Sequence, residues 1–314
     1  MTSSDLDLRP LLFGDAEWFR RLKEPSGDDP SAWYMTKGMD YWSRPLLNAA
    51  AAFARDHSLL DTYRARFAGI RPQDLMPDRA AANNRTVSAP IRAIANELIV
   101  ARYVERVNGW KFLEHEPPGA KKARGDWLFE TSSKKYVFVE VKTIEEPEPA
   151  EGGGVYNISA RFPRIRDALR EAYKQLPADG LSTMIVLVGD QMLSVSYGIL
   201  LSVLGQALFG SYQVTFKPFE EAKDMRAGPS FYNTLIHGTK HRRAGCIAGL
   251  RVKGVDIPEM HFYSIDNPYA YAQARIPHKD FGPGLKLIVD EHGHGEELRE
   301  ITLDEIWSRM RQGE

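Results

Sequence analysis

The sequence predicts an α/β protein in which a mixed central sheet is flanked by helices and preceded by a helical extension. Three observations predict it. Helical patterning fills the first 85 residues, and from residue 86 the pattern runs helix, three short strands, helix, strand. Within that run "STMIVLVGD" (182–190) is almost unbroken aliphatic sequence, as a central strand buried on both faces requires.

The elements follow in order. "MDYWSRPLLNAAAAFARDH" (39–57) is alanine-rich with apolar residues at helical spacing, and "LLDTYRARFAGI" (59–70) continues the pattern until Pro72 and Pro77 punctuate it. The aromatics of this segment (Trp18, Phe19, Trp33, Tyr34, Tyr41, Trp42) read as helix-packing groups. Ser88 followed by Pro90 predicts a helix start, and Asn108-Gly109 a stop. "WKFLEHE", "DWLFET" and "YVFVEVKT" are strand-like, and "RFPRIRDALREAYKQL" (161–176) is a helix ended by Pro177.

Beyond Asp190 we expect an apolar helix over 195–210 and an irregular insert to about 243. Strands follow in "GCIAGLRV", "MHFYSID" and "LKLIVD", then a closing amphipathic helix in "TLDEIWSRMRQ" capped by Thr302. The acidic, glycine-rich "EEPEPAEGGG" (145–154) reads as a loop. The expected organisation is an extension over 1–85, a main domain over 86–290 with an insert near 191–243, and a helical tail over 291–314.

Composition narrows the function classes. Of 314 residues, 43% are hydrophobic and 26% charged, with a net charge of −1, so the chain is no polycation and any nucleic-acid contact must come from local patches. No window reaches the roughly 18 apolar residues of a membrane helix. An acidic start without an apolar signal core makes a cytoplasmic location the expectation. The only cysteine, Cys246, excludes an intramolecular disulfide and a cysteine zinc cluster, and reads as a small apolar strand residue.

"RGDWLFETSSKKYVFVEVKT" (124–143) carries the chemistry. Alternation puts Glu140 and Lys142 on one face of their strand. If the hairpin centres on Ser133, opposing residues sum to 266, which sets Asp126 against Glu140. Two carboxylates facing each other across a strand pair repel unless a cation lies between them. Mg²⁺, which takes hard oxygen ligands and often only one or two carboxylates, fits that need, as would Mn²⁺. Lys142 beside them could stabilise charge developing on a phosphate.

Asp126, thirteen residues, then Glu140-Val141-Lys142 resembles the motif of the PD-(D/E)XK nuclease superfamily, the restriction-endonuclease-like fold, whose core is helix, three strands, helix, strand. The resemblance implies that Asp126 and Glu140 bind the metal, with the Val141 carbonyl as a further ligand, and that Lys142 is the catalytic lysine. Gly125 stands where the motif has its proline. The resemblance also implies that Glu97, on the preceding helix, reaches the metal site; a salt bridge to Arg92 or Arg102 is the alternative. Gln175 matches a glutamine that approaches the site from the following helix.

Helix 161–176 has a local charge of +3 over 161–174, so Arg164, Arg166 and Lys174 are candidate phosphate contacts, as are Lys240, Arg242 and Arg243 in "HGTKHRRAG". A solvated basic face is the competing reading. The histidines of "DEHGHGEE" (290–297) fit no metal site and read as a polar connection. The resulting expectation is a Mg²⁺-dependent endonuclease acting on DNA in preference to RNA, of a kind that serves restriction, repair or phage defence, as a homodimer or with a partner protein. A nucleic-acid-binding or assembly subunit that keeps the fold without turnover is the alternative.

Overall fold

The computed structural model describes residues 8–23, 44–75, 89–120, 123–144, 161–178, 180–189, 241–253, 259–267, 269–281, 285–289, 295–297 and 303–310. Four helices come first: α1 (Arg9–Phe13), α2 (Glu17–Lys23), α3 (Arg44–Asp56) and α4 (Leu60–Ala68). The core follows as α5 (Ala89–Arg106), β1 (Lys111–His115), β2 (Trp127–Glu130), β3 (Tyr136–Thr143), α6 (Arg161–Gln175) and β4 (Ser182–Gly189). This is the expected order of helix, three strands, helix, strand. Four more strands complete the sheet: β5 (Cys246–Lys253), β6 (Glu259–Asp266), β7 (Leu285–Val289) and β8 (Gly295–Glu297). Helix α7 (Leu303–Met310) follows.

The eight strands lie in sequence order in one mixed sheet. β1, β2 and β3 are antiparallel, whereas β3, β4 and β5 are parallel. A parallel step needs a crossover, and α6 supplies the one between β3 and β4. The remaining pairs are antiparallel for β5–β6, parallel for β6–β7 and antiparallel for β7–β8.

Alternation along the strands divides the interior into two layers. Val137, Val139 and Val141 of β3, with Met184, Val186 and Val188 of β4, belong to the main core under α5 and the N-terminal helices. Ile185 and Leu187 are buried too but lie outside that cluster, as do Ile165 and Leu169 of α6 and Leu176 just after it. β4 is therefore covered on both faces, which is why its sequence is aliphatic throughout.

Helix α5 is buried around most of its circumference because it lies between the sheet and the N-terminal helices. The alanines of α3, all but solvent-free around Phe53, let that helix pack closely on α5. Trp18 and Phe19 pack as expected, Trp18 donating its indole N–H to the Phe67 carbonyl at 3.0 Å. Arg102, fully buried, bonds the Met310 carbonyl at 3.0 Å and ion-pairs with Asp56 and Glu105, tying α3, α5 and α7 together.

Cys246 is buried in β5. Part of the sequence expected as a polar connection, 290–297, is instead strand, since Gly295–Glu297 pairs with β7. Its glycine and paired glutamates carry no apolar alternation that would have announced a strand. Ser88, the loop 145–154, the helix expected over 195–210, Lys240, His292, His294 and Thr302 lie outside the described residues. Among the described residues, no helix is long and apolar enough to cross a membrane.

Candidate active site

The β2–β3 hairpin has the predicted register. Trp127 pairs with Val139, Leu128 with Phe138 and Phe129 with Val137, each pair summing to 266. The turn holds it there. Lys134 adopts a left-handed φ of 63°, its amide returns to the Thr131 carbonyl at 3.0 Å, and Thr131 in turn donates to the Lys135 carbonyl at 2.8 Å. Asp280, far along the chain, accepts from the Ser133 amide and the Ser132 hydroxyl, both at 3.1 Å, and from the Ser133 hydroxyl. These bonds hold the Asp280 carboxyl below its ordinary value against the opposing effect of burial.

Asp126 differs in one respect from the expectation that it sits on the strand, because it occupies a bend just before β2 begins. Its side chain takes over where the ladder stops: Oδ2 accepts the Val141 amide at 2.6 Å. A residue in an extended strand points its N–H and C=O to the same edge, so the Val141 carbonyl faces the Asp126 side as well. Gly125, at the motif's proline position, has a steric reason to be glycine. A Cβ there would lie 2.0 Å from the Phe138 ring.

Glu140 is wholly buried, facing away from the main core. One of its oxygens lies 2.6 Å from Lys142 Nζ as an ion pair, and neither oxygen accepts a well-formed hydrogen bond among the described residues. Lys142 also donates to Gln175 Oε1 at 2.6 Å. Gln175 closes α6 at this point because Gly119, on the β1–β2 connection, permits close approach; a Cβ there would lie 2.1 Å from the Gln175 carbonyl oxygen.

Electrostatics mark these carboxyls out. Burial, then the Glu140 and Glu97 charges, raise the Asp126 carboxyl well above its ordinary range, with the Val141 amide and Lys142 opposing. Burial raises Glu140 to about 7 despite Lys142. Two buried carboxyls that resist ionisation side by side are a donor set short of positive charge. The buried Glu140 oxygen not facing Lys142, without a well-formed hydrogen bond among the described residues, is the kind of atom a hard cation would satisfy. Among the described residues no group of three His, Cys, Asp or Glu side chains gathers as a metal site. A cation would therefore rest on this pair with backbone and water oxygens, a mode Mg²⁺ accepts.

Glu97 stands close enough to raise both carboxyls, yet its partner is neither Arg92 nor Arg102. Arg66 of α4 grips it with both amino groups, on Oε1 at 2.7 Å and on Oε2, and the Tyr63 hydroxyl adds a bond to Oε2 at 3.1 Å. Arg66 and Tyr63 went unmarked in the sequence. Their i, i+3 spacing shows that they share a helix face, but not what the face meets.

Among the expected phosphate contacts, Lys174 is exposed and paired with Glu171. Arg166 has a buried Nε without a hydrogen-bond partner among the described residues, and burial and Arg170 lower its pKa. Arg164 lies on α6, its side chain outside the described residues. Arg242 bonds the Tyr269 carbonyl at 3.0 Å and stacks over Tyr271 at 4.5 Å. Arg243 is committed to the architecture. It binds the carbonyls of Tyr173, Leu176 and Pro177, closing the end of α6 where a helix favours positive charge.

No family model matches the chain, and no curated protein matches it. Among solved structures it is similar to Pyrococcus furiosus SfsA in complex with Ca²⁺, at 18% identity and a TM-score of 0.23. The match covers 56% of this chain and 64% of SfsA, less than two thirds of that protein's length. A likeness this slight carries no conclusion about function.

Proposed function

We propose that this protein is a divalent-metal-dependent nuclease, with DNA as its preferred substrate and Asp126, Glu140 and Lys142 as its chemical groups. The observation that carries the proposal is the fully buried Glu140, ion-paired with Lys142 but without a well-formed hydrogen bond among the described residues, beside a second buried carboxyl whose charge it opposes. Asp126 and Glu140 would hold Mg²⁺ or Mn²⁺, with the Val141 carbonyl on the same side. The bound ion would supply an acidified water and neutralisation of phosphate charge.

The chain's own groups do the rest. Gln175 by a hydrogen bond and Glu140 by an ion pair fix the Lys142 ammonium, whose remaining N–H groups would donate from Nζ to a phosphate oxygen as negative charge builds there. The Val141 amide fixes the Asp126 carboxylate and keeps one of its oxygens from turning away. Arg166 and exposed Lys174 would contact the phosphate backbone from α6.

The test incubates purified full-length protein with plasmid, linear DNA and RNA, in Mg²⁺, in Mn²⁺ and in EDTA. We expect DNA cleavage that requires the metal and is lost in Asp126→Ala and Lys142→Ala. Cleavage surviving both substitutions would defeat the mechanism. Binding without cleavage in every condition would assign the chain to the non-catalytic class of nucleic-acid-binding subunits.

A further inference from the structure

Three carboxylates lie within electrostatic reach of one another at the start of the β2–β3 hairpin, and they are not equivalent. Glu140 is ion-paired with Lys142 and has no well-formed hydrogen bond among the described residues, and Asp126 takes one from a backbone amide. Glu97 has both oxygens occupied by the Arg66 fork and the Tyr63 hydroxyl. Its side chain is only 13% exposed, and Arg66 also packs over the Tyr63 ring at 5.0 Å.

A bidentate guanidinium–carboxylate pair is among the strongest and most directional charged contacts, and arginine keeps its charge at every physiological pH. The pair also alters the local charge balance. Asp126, Glu140 and Glu97 bring three negative charges when ionised, and Lys142 and Arg66 bring two positive ones. A dication approaching Glu97 would have to displace the fork and sit against the freed guanidinium.

We infer that Arg66 is a positioning residue that takes the place of a second cation: it holds Glu97 out of the coordination shell, so that the centre accepts one divalent ion, on Asp126 and Glu140. The inference rests on the metal-centre reading above. It makes α4, outside the helix–sheet core, part of the active site.

The test counts Mn²⁺ bound per chain on full-length protein without nucleic acid, by calorimetry and by the electron paramagnetic resonance signal of free Mn²⁺. The wild type is expected to bind one ion and to lose it in Asp126→Asn. Glu97→Gln should still bind one ion at saturation, more weakly because a negative charge that acts on both ligand carboxyls is gone. Arg66→Met should bind a second, which disappears in the Arg66→Met, Glu97→Gln double variant. Circular dichroism checks that each variant is folded, and Glu97→Gln tests the inference without depending on Arg66→Met.

Two ions on the wild type, a loss of binding in Glu97→Gln, or one ion on a folded Arg66→Met would each overturn the role of Arg66 while leaving the metal centre standing. A wild type that binds no Mn²⁺ would remove both.

Discussion

Replacing Glu140 by glutamine should stabilise the metal-free protein at alkaline pH, although it removes a fully buried, ion-paired residue. Burial raises the Glu140 carboxyl from 4.5 to about 7 in the folded chain. Between those values the folded state holds a proton that the unfolded state has released, so stability falls as pH rises through the window. At about 1.4 kcal/mol per pH unit, the whole rise costs about 3 kcal/mol above pH 7, before any relief from Lys142 rearranging. Glu140→Gln cannot ionise and escapes that loss.

Urea unfolding in EDTA at pH 5 and pH 8 measures it. The variant should match the wild type at the lower pH and exceed it by about 1–3 kcal/mol at the higher. Excess Mn²⁺ should then raise the wild type at pH 8 and leave the variant unmoved, because a ligand stabilises only the state that binds it. Equal differences at both pH values, or a variant less stable at pH 8, would show that the buried carboxyl is already compensated and would refute the electrostatic reasoning.

Three further outcomes follow from the same geometry. Lys142→Met should retain Mn²⁺ binding yet lower the rate of DNA cleavage by about 10²–10³-fold, as loss of one preorganised donor does, read in single-turnover kinetics. Gly125→Ala drives a Cβ into the Phe138 ring and should cost about 1–3 kcal/mol in urea unfolding. Asp280→Ala leaves the hairpin turn without its acceptor and should cost about 1–3 kcal/mol at pH 7. Because Asp280 is held below its ordinary 3.8, that difference should persist above pH 4 and fade as pH drops further, measured by thermal unfolding across pH 3–7.

The parts of the site legible in the sequence are those fixed by local rules. Alternation placed Glu140 and Lys142 on one face, and a turn centred on Ser133 set the register that brings Asp126 to their strand. Gln175 was placed by the resemblance alone, and it meets Lys142 at 2.6 Å. The aliphatic run of β4 signalled its burial because both of its faces are covered.

What escaped depends on contacts between distant segments. Arg66 meets Glu97 across 31 positions and Asp280 meets Ser133 across 147, and nothing in either neighbourhood encodes the other. Gly125 read as a departure from the motif's proline. It is instead the space filled by Phe138, thirteen residues on and across the hairpin. Arg243 read as a candidate phosphate contact or a solvated charge because helix-end carbonyls leave no trace in sequence.

The bond between Asp280 and the hairpin turn bears on the order in which a growing chain matures. Residues 126 to 142 leave the ribosome well before residue 280, and until then the turn lacks its most remote fastening. A chain not yet extended to residue 280 thus lacks that fastening on the ribbon that carries the acidic pair, and whatever reactivity those groups possess is locked in only after residue 280 has emerged.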